Sequence, residues 1–323
     1  MKKMEVLLHH PPSPLQPVEH EVFAYRGLRL LVKRDDLLHP HVSGNKWRKL
    51  KHNLLEARRL GLTRLITFGG AYSNHLSAVA AAGAAFGFET AGVVRGEKSE
   101  QSNPTLKFAE ECGMELHFTS RTDFKKKTNA TLLEGLKIDP NGALILPEGG
   151  SNCLALTGCR ELVAETETQL GHLPDFFITA CGTGATLAGI ASGLTGRATA
   201  LGIAVLKGGF LQSDVEKLLT KCVPPHSAIP NPKSAIVVDD FHCGGYAKYT
   251  PELIAFINDF KQRTGIPLDP IYTGKAFFAT FQLAEQGFFP EGASIVLVHT
   301  GGLQGIAGFN ERFTPVGFGP LLT

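Results

Sequence analysis

The sequence lacks the marks of an exported, metal-binding or nucleic-acid-binding protein. Its six cysteines, Cys112, Cys153, Cys159, Cys181, Cys222 and Cys243, form no CxxC pair and fit no zinc spacing. Dispersed along 323 residues, they are expected to be reduced, buried small hydrophobes. The opening segment to Leu8 holds too short an apolar stretch for a secretory signal, so a cytoplasmic location is expected. The formal net charge is only +2, with no basic stripe. The lone lysine run, Lys125 to Lys127, is expected in a solvated loop, which argues against a nucleic-acid partner. Fixed-period repeats and low-complexity linkers are missing too. The stretch from Phe176 to Gly196 has no charged residue and is long enough to span a bilayer. Gly182-Thr183-Gly184 would break a helix there, so a strand, a loop and a helix fit better, and no membrane partner is expected.

What the chain has is alternation. Leu65 to Phe68, Glu89 to Val94, Glu115 to Phe118, Ala143 to Leu146, Phe176 to Ala180, Ile203 to Leu206 and Ile295 to His299 read as short apolar strands. Asn74 to Phe86 reads as an alanine-rich helix. Asn103 followed by Pro104, and Thr250 followed by Pro251, read as helix starts, with Gly113 and Gly265 as their ends. Strands separated by helices of this length predict βαβ units, an α/β class and parallel sheets. The 323 residues suggest about two domains.

In open α/β sheets a ligand sits beyond the carboxyl ends of the strands, and four glycine loops follow strands here: 69–75, 147–150, 181–186 and 299–302. The third, Gly182-Thr183-Gly184-Ala185-Thr186, opens a helix, where free backbone N–H groups and the helix dipole favour an anion. A Rossmann fingerprint needs glycine where Leu187 stands and an acid about 20 residues on; no Asp or Glu occurs from Phe176 through Ser213. No Walker lysine follows. The loop is therefore either a backbone cradle for a monophosphate or a tight turn for close strand–helix packing. Lys46 follows Ser43-Gly44-Asn45 at the start of an amphipathic helix. There the dipole disfavours a cation and favours the neutral, nucleophilic amine. Arg48 and Lys49 beside it read as ordinary surface residues.

The motifs together, in order along most of the chain, resemble the 1-aminocyclopropane-1-carboxylate (ACC) deaminase and D-cysteine desulfhydrase family. These are pyridoxal-5'-phosphate (PLP) enzymes of fold type II, similar to the tryptophan synthase β-subunit. The resemblance rests on Lys33-Arg34-Asp35-Asp36, Ser43-Gly44-Asn45-Lys46-Trp47-Arg48-Lys49-Leu50, Gly69 to His75 and Glu148-Gly149-Gly150. It continues through the Gly182 loop, Asp269 to Lys275 and His299-Thr300-Gly301-Gly302. It implies two domains of open twisted parallel sheets: a large PLP-binding domain from 1–49 plus 153–323, and a smaller α/β domain at 50–152. It implies PLP as cofactor, held as a Schiff base on Lys46, and a small amino acid as substrate. By analogy it also implies a homodimer.

Matching positions imply further roles. Asn74 would bond the PLP 3'-oxygen. Ser73, Asn74 and His75 would receive the substrate carboxylate, with Ser73 also a proton-transfer group; the family usually has Gln at position 75. Gly182, Thr183, Gly184, Ala185 and Thr186 would cup the phosphate. Tyr272, and more weakly Tyr246, would lie near the substrate. The deaminases carry Glu and Leu where this chain has Thr273 and Thr300, as the desulfhydrase branch does. A hydroxyl is a milder ring-nitrogen partner than a carboxylate, which favours β-elimination from a D-amino acid, D-cysteine first, over cyclopropane opening; a PLP-binding relative with little catalysis is the remaining alternative.

Overall fold

The computed structural model describes residues 10–98, 103–126, 128–223, 235–313 and 320–321. In chain order the elements are β1 (Leu15–Val18), α1 (Glu21–Ala24), β2 (Arg29–Lys33), α2 (Asn45–Arg59), β3 (Arg64–Gly70), α3 (Asn74–Phe86), β4 (Glu89–Arg95), α4 (Pro104–Glu111), β5 (Met114–Thr119), α5 (Arg121–Lys126), α6 (Asn129–Gly135), β6 (Ala143–Leu146) and α7 (Cys153–Leu170). Then follow β7 (Phe176–Cys181), α8 (Ala185–Leu194), β8 (Thr199–Ala204), α9 (Leu211–Cys222), β9 (Ala235–Val238), α10 (Pro251–Thr264), α11 (Thr273–Glu285), β10 (Ser294–Val298) and α12 (Gly305–Phe313). Two sheets result: six strands in the order β1-β2-β10-β7-β8-β9, and four in the order β5-β4-β3-β6.

Local chemistry sets the element ends. Asn103 accepts from the backbone N–H of Thr105 and Leu106 to start α4, with Pro104 at its first position. Thr250 caps α10 in the same way, and Gly265 closes it at φ 74°. All five residues of β10 are buried, as expected for a central parallel strand covered on both faces. The uncharged stretch from Phe176 supplies β7 and α8, and no helix among the described residues is long and apolar enough to cross a membrane.

Several expectations change. The larger sheet is mixed, because β1 pairs antiparallel with β2; every other strand pair is parallel. The strand expected at Ile203 to Leu206 lies earlier, at Thr199–Ala204. Lys125 and Lys126 are exposed as expected but end a short helix; Lys127 and the segment to Leu8 lie outside the described residues. Cys153 and Cys222 are not reduced thiols but form a disulfide, their Cα atoms 5.0 Å apart. One opens α7 and the other closes α9, and the packing of those helices brings them within bonding reach, which spacing along the chain could not reveal. The 50–152 portion carries the four-stranded sheet, yet a boundary at 49/50 falls inside the continuous helix α2. Trp47, Leu50, Leu54 and Ala57 of that helix pack in the core beside the smaller sheet.

Arg48 and Lys49 also depart from their surface reading: both are buried. The Arg48 guanidinium makes a two-pronged bond to Asp35 at 2.6 and 2.7 Å, and donates to Glu165 of α7 at 2.9 Å. Fully buried Lys33 donates to Glu165 and Gln169, each at 2.6 Å, and to the Ser13 carbonyl at 2.8 Å. Burial lowers the Lys33 amine, partly offset by the Glu165 bond. Burial works to raise the Glu165 carboxyl, but the Arg48 and Lys33 partners hold it below its ordinary value.

Removing one member of a buried ionic cluster strands the others in low dielectric, at about 3–5 kcal/mol. Asp35→Ala is therefore expected to lower the unfolding free energy by about 3 kcal/mol or more, read as a shifted urea midpoint. A loss below about 1 kcal/mol, the range of exposed pairs, would show that the cluster does not anchor α2.

Candidate active site

The carboxyl ends of β3, β4 and β6 in the small sheet, and of β7 and β10 in the large one, open onto one cavity of about 500 Å³. The start of α2 enters the same space. Gly44 makes this entry possible. It sits at φ 64°, and a Cβ there would overlap the Thr300 carbonyl oxygen. That oxygen accepts from the Asn45 backbone N–H at 3.2 Å, so the 299–302 loop and the lysine helix are joined where they meet.

Lys46 lines the cavity and donates to the Asn45 side chain at 2.9 Å. Burial, and then the charge of Lys49, lower its amine to about 7. The neutral amine is thus favoured by desolvation and a like charge, where the sequence pointed to the helix dipole. Lys49, one turn on, lies in the same wall and donates to the Gly149 carbonyl at 2.9 Å. Its Nζ is 3.5 Å from the Thr183 hydroxyl, and burial lowers its amine as well.

Ser73, Asn74 and His75 form another part of the wall. Ser73 caps α3, its Oγ accepting from the His75 and Leu76 backbones at 3.2 and 3.3 Å; its own hydroxyl proton is left to donate. The Asn74 carbonyl oxygen accepts from Gln304 at 2.8 Å. His75 is 1% exposed, and among the described residues neither ring nitrogen has a partner. Burial, with Lys46 and Lys49 nearby, pushes its pKa well below 6.5, so it is a neutral imidazole with one free donor and one free acceptor. A buried polar pair of this kind is open to a ligand or a water.

Gly182, Thr183, Gly184 and Thr186 line the facing side. Gly184 caps α8 in the left-handed region at φ 78°, and the first turn of that helix has N–H groups free of intrahelical partners. Ala185 is buried in that turn and shows no side chain to the cavity. Thr186 accepts from Asn45 at 2.9 Å, which ties the turn to the lysine helix. Tyr246, Tyr272 and Thr300 complete the sequence-derived set in the wall. The two tyrosine rings meet edge to face, centroids 6.2 Å apart, and burial and then Tyr246 raise the Tyr272 hydroxyl. Thr273 does not belong: it is fully buried, its hydroxyl donates to Asp269 at 2.6 Å, and it does not line the cavity. Asp269 holds the start of α11 by accepting from the Ile271, Tyr272 and Thr273 backbones, which aims Tyr272 and turns Thr273 inward.

Asn45, Lys49, Arg95, Glu148 and Asp214 also line the cavity without having been singled out as site residues. Lys49 was detectable one helical turn from Lys46, and Arg95 at the carboxyl end of a parallel strand. A cradle of free N–H groups, a low-pKa amine and an unsatisfied imidazole around one cavity fit pyridoxal phosphate. Lys46 would hold its carbon, and the 182–186 turn its phosphate. Uptake of the cofactor by apoenzyme needs the neutral amine, so its rate is expected to rise with pH through about 7. Lys49→Met removes a like charge, raises the Lys46 amine and moves this midpoint upward. An unmoved midpoint, followed at the visible cofactor band, would mean that burial alone sets the Lys46 amine.

The comparisons agree on pyridoxal phosphate as the cofactor. A bifunctional D-cysteine desulfhydrase/1-aminocyclopropane-1-carboxylate deaminase of Arabidopsis thaliana is 30% identical over 300 residues, 87% of this chain and 74% of that protein. A D-cysteine desulfhydrase of Klebsiella pneumoniae is 29% identical over 314 residues, 93% and 94% of the two chains. A crystal structure described as an ACC deaminase homologue superposes with a TM-score of 0.79 at 28% identity, covering 98% of this chain and 99% of that one. The family described as "Pyridoxal-phosphate dependent enzyme" matches residues 6–301, and the chain belongs to that family.

Proposed function

We propose that the protein is a PLP-dependent lyase that eliminates the β-substituent of a small D-amino acid, D-cysteine being converted to pyruvate, sulfide and ammonia. The observation that carries this reading is the meeting of a near-neutral Lys46 amine and an unpartnered His75 in one cavity. Bound pyridoxal phosphate would supply the electron sink at the substrate α-carbon. Lys46 takes the α-proton as general base. The Cβ–S bond breaks, sulfide leaves with the bonding pair, and water completes the release of pyruvate and ammonia. Ser73 donates its free hydroxyl proton, and neutral His75 receives the carboxylate through its N–H. The Tyr272 hydroxyl, held protonated by burial, donates near the reacting carbons. A homodimer in the cytoplasm goes with this reading by family analogy.

ACC deamination is the second reading, favoured by the names of the relatives. Thr300 in the cavity wall, where the deaminases carry Leu, supports β-elimination; Thr273 is buried against Asp269 and does not line the cavity.

Lys46→Ala is expected to abolish turnover and the visible band of covalently held cofactor. A band of ordinary intensity, with borohydride labelling another lysine, would remove the assignment. The wild-type enzyme is expected to release sulfide from D-cysteine with a higher kcat/KM than it opens ACC. The reverse order, measured as pyruvate against 2-oxobutanoate, would favour the deaminase reading.

A further inference from the structure

Arg95 is the last residue of β4 and lines the cavity that contains Lys46. Among the described residues its guanidinium donates no hydrogen bond. It lies over the Phe124 ring, 5.4 Å from the centroid, and faces the Glu148 carboxylate at 3.6 Å. That distance exceeds the roughly 2.7–2.9 Å of a charge-assisted hydrogen bond. Gly70 leaves the room it occupies: a Cβ at residue 70 would sit 3.3 Å from Nη2. The side chain is 35% exposed, at the open side of the cavity. A fork of five N–H donors thus stands unused at the mouth of a substrate cavity, at the strand end where ligands sit.

We propose that Arg95 binds a second anionic group on the substrate, so that the enzyme acts on β-substituted amino acids whose substituent ends in a carboxylate or similar anion. The proposal rests on the amino-acid lyase reading above and narrows its substrate class. The guest carboxylate meets the fork two-pronged, a geometry Lys cannot reproduce. It displaces Glu148, whose pairing at this exposure is weak. Glu148 is itself 46% exposed and free to turn to water. The other acid in the wall, Asp214, belongs to α9, next to the 182–186 turn. The amino-acid head is left to Ser73, Asn74 and His75.

The test titrates the holoenzyme with D-glutamate and D-norvaline, which differ in a terminal carboxylate, and reads the cofactor spectrum. It then compares kcat/KM for S-carboxymethyl-D-cysteine and S-ethyl-D-cysteine. The carboxylate member of each pair is expected to be favoured ~10-fold, about 1.4 kcal/mol. Arg95→Gln should draw both ratios towards one, with Arg95→Lys intermediate. Wild-type ratios near one overturn the proposal whatever the variants do. So does an equal loss for both members in Arg95→Gln, which would place Arg95 on the shared α-carboxylate. A spectrum unmoved by any amino acid removes the proposed function and this inference with it; a response without discrimination removes this inference alone.

Discussion

The cavity depends on one buried ionic cluster. Arg48 points away from the cavity while Asn45, Lys46 and Lys49 of α2 line it, and its guanidinium is held by Asp35 after β2 and Glu165 of α7. Lys33 and Ser13 close the cluster, with Ser13 donating to Asp35 at 2.7 Å. Charges in such surroundings are costly unless all their partners are in place, so the arrangement tolerates one geometry and fixes the rotation of α2. With that rotation set, Lys46 and Lys49, three residues apart, face the same space.

The second consequence is electrostatic. Among the described residues Lys46 and Lys49 have no carboxylate bonded to them, whereas Lys33 has Glu165 at 2.6 Å. Burial then acts on the two cavity lysines with little opposition and lowers both amines, that of Lys46 to about 7. His75, unpartnered beside them, is held neutral for the same reasons. Lys46 and His75 are therefore biased towards neutrality, and the unmet hydrogen bonds of the His75 ring are available to a guest. Asp269 shows the opposite arrangement. It is saturated by three backbone N–H groups and the Thr273 hydroxyl, and its work is to hold Tyr272 in place.

Most of the framework was legible in the sequence. Apolar runs ending in glycine marked strands β3, β4, β6, β7 and β10, and Asn103, Thr250 and their prolines marked helix starts, because these signals act over a few residues. The strands at Leu15–Val18, Arg29–Lys33 and Ala235–Val238 were not read. At four or five residues each, they lie at or near the sheet edge, where short length and partial exposure weaken the pattern. The ordered motifs located Lys46, the 70–75 loop and the 182–186 turn, since each is a short segment whose backbone form follows from its own residues.

Tertiary structure decided which neighbours in sequence share a role. Lys46, Arg48 and Lys49 are adjacent cations, and composition alone could not separate them; the helix turns one towards Asp35 and the other two into the cavity. Thr273 and Thr300 looked equivalent, yet the first is sealed against Asp269 and the second lines the wall, because α11 begins between Tyr272 and Thr273. Cys153 and Cys222, 69 residues apart, meet only because two helices pack side by side. The sequence by itself determined the α/β class and marked Lys46 and the 182–186 turn, which meet in one cavity, through local patterns of polarity and glycine. Burial, partner choice and the direction of each side chain came from packing between segments far apart in the chain, which no local pattern encodes.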